Sequence, residues 1–103
     1  MMKRKPTHPG EFVREDILEE FSLSRKQLAE LLGVSEKTVS ELADQRRGLS
    51  PDMALRIGRF TKTNPKTWMN LQITWDLWEA STKKSASIRK VRPFVEPDLV
   101  GQS

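Results

Sequence analysis

The sequence contains no cysteine, no tyrosine and a single histidine, and these absences exclude several classes of protein. Without cysteine there is no disulfide framework, no thiol nucleophile and no cysteine-ligated zinc site. The one histidine, His8, cannot build a multi-histidine metal site, and no glycine-rich phosphate loop accompanies it. We therefore expect no enzyme, no metal site and no cofactor.

Long hydrophobic runs are also missing. No stretch of about 18 apolar residues is present, so the sequence predicts no transmembrane helix. No apolar region follows the basic residues Lys3, Arg4 and Lys5, which argues against a signal peptide, and we expect a cytoplasmic protein. The chain has 103 residues, of which 36% are hydrophobic and 31% are charged. That is enough for one small domain and a tail.

Charge is unevenly distributed along the chain, whose formal net charge is +4. Residues 11–22 carry one arginine against five carboxylates, whereas both ends of the chain are basic. A positive total favours a polyanionic partner such as DNA, but an acidic block has little use in a protein that only coats nucleic acid. Two interpretations of the block stay open, a solvated helix face and a binding surface for a basic protein. Its carboxylates are Glu11, Glu15, Asp16, Glu19 and Glu20.

The acidic block falls within the first predicted helix. Pro9 stands at a first helical position, so we interpret His8 as a helix-start residue rather than as a ligand. The apolar residues of this helix share one broad face, which we expect to be buried. They are Phe12, Val13, Ile17, Leu18 and Phe21.

Further helix signals are dense, whereas the alternation typical of strands is absent. Ser24 and Gln27 predict a capping box at the start of a second helix, and Gly33 is suited to end it. All the signals together predict an all-α domain with five helices in about 75 residues. The remaining starts are Ser35 for a third helix that we expect to end at Gly48, Ser50-Pro51 for a fourth and Asn64-Pro65 for a fifth.

The second and third helices are joined by only Gly33-Val34-Ser35, which forces a steep crossing typical of a DNA-binding helix-turn-helix. Ala29 is small where the helices would approach, and Val39 with Leu42 would point inward. In such a motif the N-terminal residues of the third helix contact base edges in the major groove. An ordinary helical hairpin remains the alternative. The residues left outside are Ser35, Glu36, Lys37, Thr38, Ser40, Glu41 and Asp44, followed by Arg46 and Arg47 for the phosphate backbone.

The fifth predicted helix is apolar on two sides. One side carries Trp68, Leu71, Trp75 and Trp78, and the opposite side carries Met69, Ile73, Leu77 and Ala80. Both apolar sides of such a helix must be covered, one by its own domain and the other by something else. A domain of five short helices rarely encloses one of its helices completely. We predict a homodimer interface at Met69, Ile73, Leu77 and Ala80, with a fully enclosed core helix as the alternative.

The ends of the chain differ from the domain between them. We divide the chain into a basic N-terminal arm (residues 1–7), a helix-turn-helix domain (8–80) and a basic C-terminal tail (81–103). Pro93 and Pro97 prevent a long helix in the tail, which nevertheless contains apolar residues. The tail either packs on its own domain or becomes ordered on a partner. These apolar residues are Ile88, Val91, Phe94, Val95, Leu99 and Val100.

The stretch from His8 to Glu79 resembles the HigA/VapI-type branch of the Xre family of lambda-repressor-like proteins. The resemblance implies a five-helix domain that binds palindromic operator DNA as a homodimer. It also implies an antitoxin that neutralises a HigB-type mRNA endonuclease, a small basic toxin, and represses its own operon. Some members have no toxin, so a stand-alone transcriptional regulator is the alternative. The matching segments are residues 8–11 (HPGE), 28–35 (LAELLGVS), 39–42 (VSEL), 47–56 (RGLSPDMALR) and 68–72 (WMNLQ), with Asp76-Leu77.

The resemblance also places the DNA-reading positions. They fall on Ser35, Thr38, Ser40 and their neighbours, with Arg25 at the start of the second helix. Members often carry a basic residue where this chain has Glu36 or Glu41. Either the operator is therefore unusual, or the affinity depends on Lys37, Arg46, Arg47 and the basic termini. The complete predicted DNA-binding set is Arg25, Ser35, Glu36, Lys37, Thr38, Ser40, Glu41, Arg46 and Arg47, and the predicted toxin-binding set is Glu11, Glu15, Asp16 and Glu19.

Overall fold

The structure is a computed structural model that describes residues 4–96, and within that range it is all-helical without a strand. None of the described helices is long and apolar enough to cross a membrane. Lys3 of the predicted arm and Leu99 and Val100 of the predicted tail lie outside the described residues. The helices are α1 (Pro9–Phe12), which continues into a π-helical segment (Val13–Glu19), α2 (Arg25–Leu32), α3 (Glu36–Ala43), α4 (Pro51–Thr61), α5 (Pro65–Lys83) and α6 (Ser85–Arg89).

Side-chain caps set the starts of the helices. Ser24 Oγ accepts from the Gln27 amide at 3.0 Å while Gln27 Oε1 accepts from the Ser24 amide at 2.8 Å, so the predicted capping box is confirmed. Gly33 ends α2 in the left-handed conformation with φ 72°. The other caps are His8 for α1, Ser35 for α3, Ser50 for α4 and Asn64 for α5.

The predicted end of the third helix at Gly48 is wrong, because α3 ends at Ala43. Gln45 takes the left-handed conformation with φ 62°, which turns the chain out of the helix. The Arg46 amide then donates to the Glu41 carbonyl at 2.7 Å and satisfies a helix-end acceptor. A glycine is the usual residue for this turn, and here a glutamine performs it.

The first helix differs from the regular helix that the pattern predicts. The Glu20 amide donates to the Glu15 carbonyl, and the Leu23 amide donates to the Leu18 carbonyl, both across five residues. Val13, Ile17 and Leu18 are buried as predicted. Phe21 is not, since it is 47% exposed and packs edge-on against Phe60 with the ring centroids 5.9 Å apart.

The core fills the space between the first five helices. Gly10 in α1 lies directly on α3, and a Cβ atom there would overlap the carbonyl oxygen of Leu42. Only glycine therefore permits this approach. The largest fully buried side chains include Val13, Ile17, Leu28, Val39, Leu42 and Ile57.

The C-terminal part of the described chain extends beyond the core. α5 continues to Lys83, so the predicted domain boundary at residue 80 falls inside a helix, and α6 is a sixth helix within the predicted tail. Val91, Phe94 and Val95 are 75%, 83% and 60% exposed. These three side chains of the tail therefore do not pack on the domain.

Candidate nucleic-acid interface

The outward side of α3 brings the predicted DNA-binding residues together. Val39, Leu42 and Ala43 turn inward and are fully buried, which fixes how the helix is rotated. The remaining side chains face away from the core. Ser35, Glu36 and Lys37 are exposed, and Thr38, Ser40 and Glu41 are half-buried.

The hydroxyl groups at the start of α3 are engaged in the helix cap. Ser35 Oγ accepts from the Thr38 amide at 3.1 Å and shares a hydrogen bond of 2.9 Å with Thr38 Oγ1. This cap holds the first turn of α3 in one conformation. It also leaves Glu36 and Lys37 as the side chains at the helix start that make no hydrogen bond within residues 4–96.

Arg25 joins the start of α2 to the end of α3. Its guanidinium donates two hydrogen bonds of 2.9 Å to the two carboxylate oxygens of Asp44 and a longer one of 3.5 Å to the Ser40 carbonyl. The hydrogen bond from Arg25 lowers the pKa of the Asp44 carboxyl, and the bond to Asp44 raises the pKa of Arg25. The planar two-bond geometry fixes the guanidinium at the edge of the α3 surface.

A second arginine–carboxylate pair lies at the loop that follows α3. Arg47 donates to Glu41 Oε1 from Nε at 3.1 Å and from Nη2 at 2.7 Å. Two carboxylates of the α3 region, Glu41 and Asp44, are thus neutralised by arginines from the same predicted set. Arg46 is exposed and forms no ion pair within residues 4–96.

Gln72 on α5 anchors this loop, a role that the sequence reasoning did not assign. Its Oε1 accepts from the Leu49 amide at 2.6 Å, and its Nε2 donates to Asp76 at 2.8 Å. Gly48 lies so close that a Cβ there would be 2.9 Å from Gln72 Nε2. The arginines of the loop are therefore positioned from α5. The available signal in the sequence for this role was a polar residue, Gln72, within an otherwise apolar helix.

Arg56 on α4 similarly supports the turn of the helix-turn-helix. Its Nη1 donates to the Leu32 carbonyl at 2.9 Å, and its Nε donates to Asp52 at 2.8 Å. A positive group at the end of α2 satisfies an exposed helix-end carbonyl. In the sequence, Arg56 stood out only as part of the matching segment 47–56.

The predicted dimer residues do not all face outward. Ile73 and Leu77 are 49% and 59% exposed, and Ala80 is exposed beside them. Met69 is half-buried and packs against the core. The exposed apolar strip on α5 therefore consists of Ile73, Leu77 and Ala80.

The opposite side of α5 holds the N-terminal arm. His8 is buried, its Nδ1 accepts from the Gly10 amide at 2.9 Å, and its ring meets Trp75 edge-on at 4.9 Å. Lys5 Nζ lies 5.6 Å from the Trp75 ring centroid, a cation–π distance. Burial lowers the pKa of His8, and the charges of Asp76 and Glu79 oppose that effect.

The acidic residues of the first segment form a separate surface. Glu15, Asp16, Glu19 and Glu20 are exposed, and Glu11 is half-buried. Within the described part of the chain, none of the five takes part in an ion pair. Their negative charge is therefore not offset by a bonded cation.

Comparison with known proteins identifies the family. The model of the antitoxin Xre-like helix-turn-helix domain matches residues 15–62. An HTH-type transcriptional regulator of Haemophilus influenzae is 36% identical over 90% of this chain and 89% of its own. Antitoxin HigA of Pseudomonas aeruginosa, solved with the higBA promoter, is 40% identical with a TM-score of 0.83 over 87% of this chain and 99% of its own.

A further solved structure, antitoxin GraA in complex with its operator, is 37% identical with a TM-score of 0.85 and covers 93% of this chain and 98% of its own. Both similarities cover most of this chain. They confirm the all-α fold and the resemblance that the sequence indicated. The chain belongs to the Xre-like helix-turn-helix antitoxin family, whose members are DNA-binding proteins of the HigA type and not enzymes.

Proposed function

We propose that this protein is an antitoxin that represses its own operon as an operator-bound homodimer and neutralises a small basic mRNA endonuclease of the HigB type. The observation that carries the proposal is the pairing of two surfaces on one small domain. α3 presents polar and cationic side chains, and α5 presents an exposed apolar strip of Ile73, Leu77 and Ala80. Relatives solved with promoter or operator DNA support the DNA half.

For operator binding, α3 lies in the major groove and the cationic side chains beside it contact phosphates. Lys37 and Arg46 are exposed, so both are available to the backbone. Arg25 and Arg47 are held by their carboxylates at the two edges of the α3 surface. This arrangement suits a helix flanked by phosphates on both sides of the groove.

For dimerisation, the α5 strips of two protomers cover one another. Exposed Ile73 and Leu77 would be removed from water in a two-fold contact, which supplies the favourable free energy. A two-fold axis through the contact between the two α5 strips relates the two copies of α3. Such a dimer reads two half-sites about one helical turn, or roughly 34 Å, apart.

For toxin binding, the acidic surface between residues 11 and 20 contacts the toxin. A protein that holds RNA must be basic, and exposed Glu15 and Glu19 complement such a charge. An exposed apolar side chain, Phe21, follows Glu20 in the chain and packs against Phe60. Apolar contact beside complementary charge is the usual composition of a protein–protein interface.

The test is capture of the tagged protein from its source cells at native expression, with mass spectrometry of what co-elutes. We expect a small, strongly basic protein in stoichiometric amount, and added antitoxin should abolish that protein's mRNA cleavage. The double variant Glu15→Lys, Glu19→Lys should lose this neutralisation and keep operator binding. The matched control replaces Glu30 and Glu96 by lysine, since both are exposed carboxylates outside the acidic surface.

Each part of the proposal can fail separately. Operator DNA without a co-eluting basic protein would make the chain a stand-alone transcriptional regulator. A captured toxin that the Glu15→Lys, Glu19→Lys variant still neutralises would move the toxin interface away from the acidic segment. Absence of operator binding by the wild-type protein would contradict the repressor half.

A further inference from the structure

The α3 region carries three carboxylates, and the structure separates them into two kinds. Glu41 is bonded to Arg47, and Asp44 is bonded to Arg25 through two hydrogen bonds. Glu36 is exposed and has no ion-pair partner within residues 4–96. Two of the negative charges that would oppose DNA binding are thus compensated inside the protein, and the third is not.

The uncompensated carboxylate occupies a reading position. Glu36 is the first residue of α3, and N-terminal residues of a recognition helix contact base edges. The neighbouring hydroxyls of Ser35 and Thr38 already bond to each other and to the helix amide. Glu36 and Lys37 are therefore the side chains at this end of the helix that make no hydrogen bond within residues 4–96.

A carboxylate selects among the four bases by its inability to donate. Guanine presents two acceptors in the major groove and thymine presents one, so both repel a carboxylate. Adenine offers its N6 amino group beside the N7 acceptor, which repels the second oxygen. Cytosine offers the N4 amino group and has no acceptor on its own major-groove edge, so it is the base that a carboxylate fits.

We propose that Glu36 is a specificity-determining residue that accepts a hydrogen bond from the N4 amino group of a cytosine in each operator half-site. The inference rests on the proposed operator binding and goes beyond it by assigning a base. With any other base, the carboxylate would lie against an acceptor or remain desolvated without a donor, close to the phosphates. The unpaired charge thereby weakens binding to wrong sequences more than to the correct one.

The experiment selects binding sites from a pool of randomised duplex DNA with three proteins. Wild type should enrich a palindromic motif with cytosine at one position of each half-site, with a preference of roughly tenfold over other bases. Glu36→Gln should shift that position towards adenine, because an amide both donates and accepts and pairs with adenine through two bonds. Glu36→Ala should lose the preference at that position and gain none.

The matched control is Glu30→Gln, the same change of charge at an exposed carboxylate on α2. It should return the wild-type motif, and thermal melting should show that every variant is folded. A motif that Glu36→Gln and Glu36→Ala leave unchanged at every position would overturn the assignment of Glu36 alone. Enrichment of no motif by wild type would overturn the proposed operator binding as well.

Discussion

α3 and α5 differ in how completely the domain covers their apolar residues. The apolar residues of α3, Val39, Leu42 and Ala43, are fully buried, so its remaining surface is polar. α5 buries Trp68 but leaves Ile73 and Leu77 about half exposed or more. The difference indicates two kinds of partner, since a polar and charged surface suits DNA and an exposed apolar strip suits another protein. One small core thus serves both.

The largest effect is expected from placing a charge on the strip of α5. In the proposed dimer, Ile73→Lys buries one unpaired ammonium per protomer, which costs about 3 kcal/mol or more. We expect a monomer whose operator affinity is reduced by a factor of about 100 or more. Sedimentation equilibrium gives the oligomeric state, and titration of full-length and half-site DNA gives the affinity.

Thr74→Lys is the matched control, because Thr74 is the exposed neighbour of Ile73 on the same helix and lies outside the apolar strip. It should remain dimeric and bind the full operator with wild-type affinity or slightly better. A dimeric Ile73→Lys variant would show that the two protomers meet elsewhere. The contrast between α3 and α5 would then no longer explain the assembly.

Features encoded within a few residues of the chain could be predicted from the sequence. The capping box of Ser24 and Gln27 and the left-handed Gly33 depend on local backbone geometry, and both are confirmed. These local signals delimit the helix-turn-helix, so its position and its polar side followed from them. The end of α3 before Gln45 and the π-helical segment of the first helix could not be predicted, since no distinctive residue marks either of them.

Contacts between distant residues could not be predicted in the same way. Arg25 reaches Asp44 from 19 residues away, and Gln72 reaches Leu49 from 23 residues away. Their partners become neighbours only when the helices pack, so no spacing in the sequence indicates them. The sequence therefore predicted Glu41 as a DNA-binding residue without showing that Arg47 neutralises it.

A smaller effect is expected from Gly10→Ala, which tests the tightly covered side of α3. The added methyl group would overlap the Leu42 carbonyl, so α1 must move away from α3. Overpacking against backbone costs about 3 kcal/mol, and better helix propensity returns less than about 1 kcal/mol. The net loss of about 2 kcal/mol should lower Tm by roughly 8 °C or more.

Thermal unfolding followed by circular dichroism measures this loss, with Gly48→Ala as the comparison. The methyl group added at Gly48 meets the end of the Gln72 side chain rather than backbone, so a smaller decrease in Tm is expected. Equal decreases for the two variants would mean that the α1–α3 contact is no more demanding than the loop contact. Dimerisation should persist in both, because the strip on α5 is unchanged.

The smallest effect concerns His8, where the N-terminal arm meets α5. Burial holds the pKa of His8 below its ordinary value of 6.5 in the folded protein, although Asp76 and Glu79 act in the opposite direction. The unfolded chain therefore binds the proton more readily than the folded one. The stabilising contribution is complete above pH 6.5 and decreases as the pH falls from 6.5 through the folded-state pKa. Protonation of Nδ1 would also remove the acceptor for the Gly10 amide.

His8→Asn separates this titration from that of the carboxylates, because asparagine caps a helix and carries no ionisable group. Urea unfolding at pH 7.5 and pH 5.5 gives the change in the free energy of unfolding for each protein. Wild type should lose more stability between these two pH values than His8→Asn does. If both proteins lose the same amount, the acid sensitivity arises from other groups. The contact between the arm and α5 would then not depend on the charge of His8. Of the two sides of α5, the exposed strip would be the one that determines what the helix contributes to the protein.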